Sequence, residues 1–167
     1  MKNSTRRVAL MGLATTLALT LSYIEAILPP ISGVAPGIKM GLANIVIIFC
    51  LYKIGWREAC LVSLLRLALM FLLFGNVQAL AYSFAGAVLS LTAMILLKQC
   101  GKFSLISISI VGGILHNVGQ ILMAILILGV KEIAYYMIVL AISGTVAGVL
   151  VGLSSVLMLR YTQRLQI

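Results

Sequence analysis

Six apolar segments, separated by short polar or glycine-containing breaks, fill most of this chain. The segments run Val8–Leu28, Met40–Tyr52, Ala59–Phe74, Val77–Leu97, Ser104–Gly129 and Ile133–Leu159. A helix needs about 20 apolar residues to cross the hydrocarbon core of a bilayer. The pattern predicts an all-α integral membrane protein, a bundle of six transmembrane helices in a single domain over residues 1–167.

The first two segments differ from an ordinary transmembrane helix, the first by its likeness to a signal peptide and the second by its length. The stretch from Val8 resembles a signal peptide, but it is longer than an h-region and no A-x-A-like site follows it, so we interpret it as a retained first helix. The second segment has only thirteen residues, between Lys39 and Lys53. It spans the bilayer only if both lysines snorkel toward the interfaces or the bilayer thins locally.

Composition supports lipid as the solvent. Apolar residues make up 63% of the chain, the mean hydropathy is +1.22 and 9% of residues are charged, whereas soluble domains carry about 25% charged residues. The net charge of +9 is scattered singly between apolar runs, which favours topology signals over nucleic-acid binding.

The lysines and arginines predict the orientation. With the N-terminus inside, only Lys39 and Lys131 face outward, and Arg66 lies within a span. The cytoplasmic set is Lys2, Arg6, Arg7, Lys53, Arg57, Lys98, Lys102, Arg160 and Arg164. This bias predicts a multi-pass protein of the cell membrane with both termini in the cytoplasm.

Polar residues at bilayer depth are the candidate functional residues. A charge there costs roughly 2.5–3.5 kcal/mol on insertion scales, so it usually faces a cavity or a partner. The predicted topology places the polar set in the middle and outer half of the bundle. It consists of Glu25, Lys39, Asn44, Arg66, Asn76, His116, Asn117 and Gln120. This distribution predicts a pocket open to the outside, electropositive through Arg66 and Lys39, for a ligand with an anionic and an apolar part.

Structural alternatives stand beside that hypothesis. Lys39 also fits the role of an interfacial anchor, and His116 fits that of a hydrogen-bond partner of a neighbouring helix. Arg66 and Glu25 also fit a structural ion pair. We expect no cofactor and no metal site, since the cysteines show no metal-ligand spacing.

Small residues four apart mark helix contact faces in lipid. Gly144, Gly148 and Gly152 form a ridge on the last helix, which favours packing within the bundle. Ala14 and Ala18 on the first helix have the same spacing, and here internal packing and the docking of another membrane subunit stay open.

Three motifs carry a family resemblance. They are the stretch Gly37-Ile-Lys-Met-Gly-Leu-Ala-Asn44, the run from Arg57-Glu-Ala59 through Arg66 to Gly75, and Gly112-Gly113 with His116-Asn117-Val-Gly-Gln120. The chain resembles the Gx transporter family, also labelled heptaprenyl diphosphate synthase component I. That family is similar to the substrate-binding S components of energy-coupling factor (ECF) transporters, which work with a T component and two ATPases. The resemblance implies substrate roles for Lys39, Asn44, Arg66, His116, Asn117 and Gln120, and T-component docking at Ala14 and Ala18.

The sequence favours a binding subunit over an enzyme. Prenyl-chain elongation uses Asp-rich clusters to hold Mg²⁺ on diphosphate, and the chain has no Asp. It also lacks a Walker A motif, so coupling to ATP requires partners. The leading hypothesis is uptake of a small anionic, partly apolar micronutrient or precursor. The alternatives are a non-catalytic accessory subunit of isoprenoid synthesis and a scaffold protein.

Overall fold

The computed structural model describes residues 2–27 and 41–164, and it is helical throughout the described elements. Within these two ranges, six α-helices and one 3₁₀ helix follow each other. They are α1 Lys2–Ile27, α2 Asn44–Lys53, α3 Trp56–Phe74, α4 Val77–Cys100, α5 Leu105–Leu128, the 3₁₀ helix Lys131–Tyr136 and α6 Met137–Arg164. The predicted all-α class is confirmed for this part of the chain.

Four stretches are long and apolar enough to cross a membrane. They are Thr5–Ile27, Val77–Cys100, Leu105–Leu128 and Lys131–Thr162. The last one contains the 3₁₀ helix, which the sequence pattern did not predict. The chain is therefore a membrane protein with at least this set of candidate spans among its described residues.

The two other helices are less suited to crossing a bilayer alone. With 10 residues, α2 is about 15 Å long, against a hydrocarbon core of about 30 Å. The 19-residue α3 carries Arg57, Glu58 and Arg66. Instead of contacting lipid, most of α2 is buried within the bundle, where it packs on α1, α3 and α6. A helix that is apolar on all sides is expected in such a position.

The turns use the residues that the sequence places there. Gly75 ends α3 in the left-handed conformation, with φ of 62°, which glycine adopts without steric cost. Asn76 then caps α4, since its side chain accepts a 2.9 Å hydrogen bond from the Ala79 N–H. An Asn at this position satisfies one of the orphan N–H groups of the first turn.

Side-chain contacts fix the directions of the helices. The Arg7 guanidinium of α1 pairs with the Glu58 carboxylate at the start of α3, so both helices begin at the same end of the bundle. Lys98, near the end of α4, donates a 2.5 Å hydrogen bond to the Leu51 carbonyl oxygen in the last turn of α2. We call the end marked by these contacts the basic end and the other the opposite end.

Glycines allow α5 and α6 to approach closely. A β-carbon built on Gly148 would lie 2.6 Å from Ile110 Cα, and one on Gly152 would lie 3.0 Å from Ile106 Cα. A β-carbon on Gly144 would lie 2.9 Å from the Gly113 carbonyl oxygen. The prediction that the ridge of Gly144, Gly148 and Gly152 packs within the bundle is confirmed.

Ala14 and Ala18 also pack within the bundle. Ala18 is completely buried and Ala14 is 7% exposed, and both belong to the main hydrophobic core. Both methyl groups are therefore part of the interior packing, one of the two alternatives for this pair. The docking of another subunit at Ala14 and Ala18 stays a prediction.

Candidate functional site

Arg66 is a buried charge halfway along α3. Only 4% of the residue is exposed, so its guanidinium is removed from water and must be satisfied by protein or ligand. One contact is given by α1, where the Ser22 hydroxyl oxygen accepts a 3.0 Å hydrogen bond from Arg66 Nη1. Sequence reasoning placed Arg66 at this depth but did not identify Ser22.

The rest of the guanidinium has unused donors. Arg66 Nε and Nη2 have no hydrogen-bond partner among the described residues. These two nitrogens form one side of the planar guanidinium, where their N–H bonds point in parallel. Carboxylate and phosphate oxygens match that geometry as bidentate acceptors. The unpaired side of Arg66 therefore has donors whose geometry an oxyanion matches.

Glu25 serves the chain's own backbone. Its Oε1 accepts hydrogen bonds from the Gly41 N–H and, at 3.4 Å, from the Leu42 N–H, where the chain enters α2. A carboxylate at a helix start is favoured by the unpaired amides and the helix dipole. Glu25 also attracts Arg66 electrostatically. It therefore links α1, α2 and α3 at the opposite end, as a structural residue beside the site.

Gly41 connects this region to the polar residues of α5. Its φ is 85°, and a β-carbon there would lie 3.0 Å from Asn44 Nδ2 and 3.1 Å from His116 Cδ2. Both the conformation and the lack of space require glycine. Asn44 and His116, which are 72 positions apart in the sequence, thus lie close together on either side of Gly41.

Asn117 and Gln120 complete a polar cluster on α5. Asn117 Nδ2 donates a 2.7 Å hydrogen bond to the Leu140 carbonyl oxygen of α6, while its Oδ1 has no partner among the described residues. A β-carbon on Gly86 of α4 would lie 2.9 Å from His116 Nδ1 and 3.0 Å from Gln120 Cγ. His116 and Gln120 therefore share one face of α5, as their spacing predicts.

A small hollow continues from this cluster toward the basic end. It lies between α2, α4, α5 and α6 and has room for about one water molecule. Its lining residues are Gly41, Asn44, Met94, Ser109, Gly112, Gly113, Ala147, Gly148 and Val151. The lining is mostly small and apolar, and Asn44 and Ser109 contribute its polar side chains.

Three buried serines were not among the predicted site residues. Ser90, Ser109 and Ser155 are buried in the half of the bundle nearer the basic end, and Ser109 lines the hollow. The signal was present on α5. Ser109, Gly112, His116 and Gln120 follow each other at three- and four-residue steps, which place them on one helical face.

Two predicted site residues stand apart from the cluster. Asn76 is exposed and caps α4, so the structure does not bring it together with Arg66 or His116. Lys39 lies outside the described residues, and its role stays a prediction.

Helices of membrane-spanning length, a buried arginine with open donors and a polar cluster between helices define a helical membrane protein with an interior polar site. No curated protein and no solved structure matches the chain. A family model does match it, over residues 14–158. The chain belongs to the family described as heptaprenyl diphosphate synthase component I, also called the Gx transporter family.

Proposed function

We propose that this protein is a membrane-embedded substrate-binding subunit for a small anionic molecule. The observation that carries the proposal is that Arg66 Nε and Nη2 are buried without a hydrogen-bond partner among the described residues. A buried guanidinium with unused donors costs stability unless a partner satisfies it. A carboxylate or phosphate group of a ligand supplies both charge and two acceptors.

The neighbouring groups support an anion at this position. The Glu25 carboxylate accepts hydrogen bonds from the backbone amides of residues 41 and 42. Its negative charge is therefore shared between these amides and Arg66. Asn44, His116 and Asn117 offer further polar atoms between the helices. Apolar residues of the surrounding core accommodate the less polar part of the ligand.

In this proposal the bundle crosses the cell membrane six times, with the basic end in the cytoplasm. The lysines and arginines concentrate at that end, as the positive-inside rule expects. The ligand then enters from the opposite, external end, and both termini lie in the cytoplasm. A fusion of a fluorescent or phosphatase reporter to each terminus tests this orientation.

Energy for uptake comes from partner subunits in this proposal. The chain has no Walker A motif, and membership of a "component I" family fits a multi-component system. A T component and ATPases of the ECF type are the proposed partners. Ala14 and Ala18 are buried within the bundle, and T-component docking at this pair stays a prediction.

The family description favours a second candidate, an accessory subunit of heptaprenyl diphosphate synthesis. A diphosphate is also an oxyanion and would fit the open side of Arg66. Without any Asp in the chain, we infer that this role is not the Mg²⁺-dependent catalytic one. Deletion of the gene would then change the prenyl-chain product and leave uptake of small molecules unaltered.

Native mass spectrometry of the gently purified protein tests binding. We expect a small anionic molecule to remain on the wild type, to be lost in Arg66→Gln and to be weakened in Arg66→Lys, which keeps the charge but not the two parallel donors. Arg57→Gln is a matched control, because Arg57 lies on the same helix but is exposed and stacks on Trp56 at 5.3 Å. Equal retention in Arg66→Gln and Arg57→Gln would contradict the assignment.

A further inference from the structure

The hollow beside Asn44 is lined by a serine hydroxyl, and a second buried serine lies close to it; neither is satisfied by the described residues. Ser109 lines it and is 2% exposed, and its Oγ has no hydrogen-bond partner among the described residues. Ser90 is 1% exposed and its Oγ is likewise unpaired within that part of the chain. Ser90 Oγ lies 3.3 Å from where a β-carbon of Gly112 would stand. Ser109 thus lines the hollow, and Ser90 lies behind the lining residue Gly112.

Buried polar groups in native proteins nearly always have partners, and each exception calls for an explanation. Thr145 shows the usual arrangement, since its Oγ1 donates a 2.9 Å hydrogen bond to the Ala141 carbonyl oxygen of its own helix. Neither serine hydroxyl makes such a bond. A serine hydroxyl donates one hydrogen bond and accepts others. The Ser90 and Ser109 hydroxyls therefore match a ligand group that donates or accepts a hydrogen bond.

Met94 is one of the residues that line this space. Its side chain is buried, and a β-carbon on Gly112 would lie 2.7 Å from Met94 Sδ. The methionine thus occupies the volume that any larger residue at position 112 would take. Because methionine is unbranched and has three rotatable bonds, it is the wall of the hollow that moves most easily.

We propose that this hollow is a polar subsite that takes a hydrogen-bonding group of the ligand, a hydroxyl, carbonyl or amide, and that Met94 covers it until the ligand enters. The subsite deepens the proposed binding function and rests on it. Together with Arg66 it defines a ligand with an oxyanion and a second polar group. A long prenyl chain, which has no hydrogen-bonding group at its far end, would leave Ser90 and Ser109 unsatisfied.

Thiol labelling measures access to the subsite. The more accessible native thiols, Cys60 and Cys100, are replaced by Ser, and the buried Cys50 stays as a baseline. Ser109→Cys is then treated in detergent with 2-hydroxyethyl methanethiosulfonate, a small neutral reagent that carries a hydroxyl group. Ala124→Cys is the matched control, since Ala124 is completely buried on the same helix and does not line the hollow.

We expect Ser109→Cys to react at least about tenfold faster than Ala124→Cys, because modification follows the population of the open state. Adding Met94→Ala should accelerate the reaction of Ser109→Cys further and leave Ala124→Cys unchanged. Equal rates at the two positions, with no effect of Met94→Ala, would show a permanently closed space that holds at most water, and would overturn the subsite.

Thermal unfolding of ligand-free Ser90→Ala and Ser109→Ala gives a second measurement. If the hydroxyls have no partner in the resting protein, both substitutions raise the melting temperature by a few degrees, because an unsatisfied polar group is removed. A lowered melting temperature in both would mean that the hydroxyls are already satisfied, and the subsite would fail. The variant Arg66→Gln separates the subsite from the proposed anion binding at Arg66. We expect this variant to lose the anionic ligand while the labelling rate of Ser109→Cys stays unaffected.

Discussion

Arg66 of α3 and Ser22 of α1 are joined by a 3.0 Å hydrogen bond from Nη1 to Oγ. The same two helices are also tied by Arg7 and Glu58 near the basic end. The serine thus holds Nη1 of the guanidinium, while Nε and Nη2 have no partner among the described residues. The orientation of the proposed anion-binding group depends on this contact.

Ser22→Ala is expected to weaken anion binding and to destabilise the protein. Removing the acceptor leaves a third buried nitrogen of Arg66 without a partner, at a cost of about 1–3 kcal/mol. Thr20→Ala is the control, because Thr20 is exposed and its hydroxyl donates to its own helix, at the Thr16 carbonyl oxygen. Melting temperature and ligand retention are measured in both; if they fall equally, the Ser22 contact has no special role.

The α5–α6 contact predicts a sharp difference between two glycines. Gly148→Ala should destabilise the bundle by about 1–3 kcal/mol, since its β-carbon would press on the backbone of Ile110 at 2.6 Å and force the helices apart. Gly12→Ala should be neutral or stabilising by up to about 1 kcal/mol, because nothing lies within 4 Å of a β-carbon there and alanine favours the helix. Thermal unfolding in detergent compares them, and a similar loss in both variants would contradict the glycine packing.

Ala18→Leu separates internal packing from subunit docking. Because Ala18 is completely buried, three added carbon atoms should overpack the core and lower the stability of the isolated protein by about 1–3 kcal/mol. Leu17→Ala on the exposed face should change it little. The docking prediction would instead be supported if Ala18→Leu kept wild-type stability and lost only the binding of a partner.

The ion pair of Arg7 and Glu58 should contribute modestly. The Arg7 side chain is 54% exposed, so water screens the interaction, and a coupling free energy of about 1 kcal/mol or less is expected. A double-mutant cycle with Arg7→Gln and Glu58→Gln measures it from melting curves. The coupling should shrink as salt rises, and a large coupling that salt does not change would point to a buried pair.

Much of the site was readable in the sequence as a set of unusual residues. Arg66, His116 and Gln120 stand out because strongly polar groups are rare in apolar segments, and the helical repeat predicted that His116 and Gln120 share a face. Ser90 and Ser109 gave a weaker signal, since serine is tolerated in transmembrane helices and usually bonds to its own backbone. Their importance follows only from the missing partners.

The sequence alone determined that this is a helical membrane protein, because hydropathy and length depend on local composition, which needs no tertiary information. It also determined the glycine ridge on α6, since spacing on one helix is a local property. The tertiary structure decided which faces meet. In it, Ala18 is buried, Asn44 lies near His116, and Glu25 bonds to backbone amides. One side of the Arg66 guanidinium has no partner among the described residues. Such contacts depend on how separate helices pack against each other.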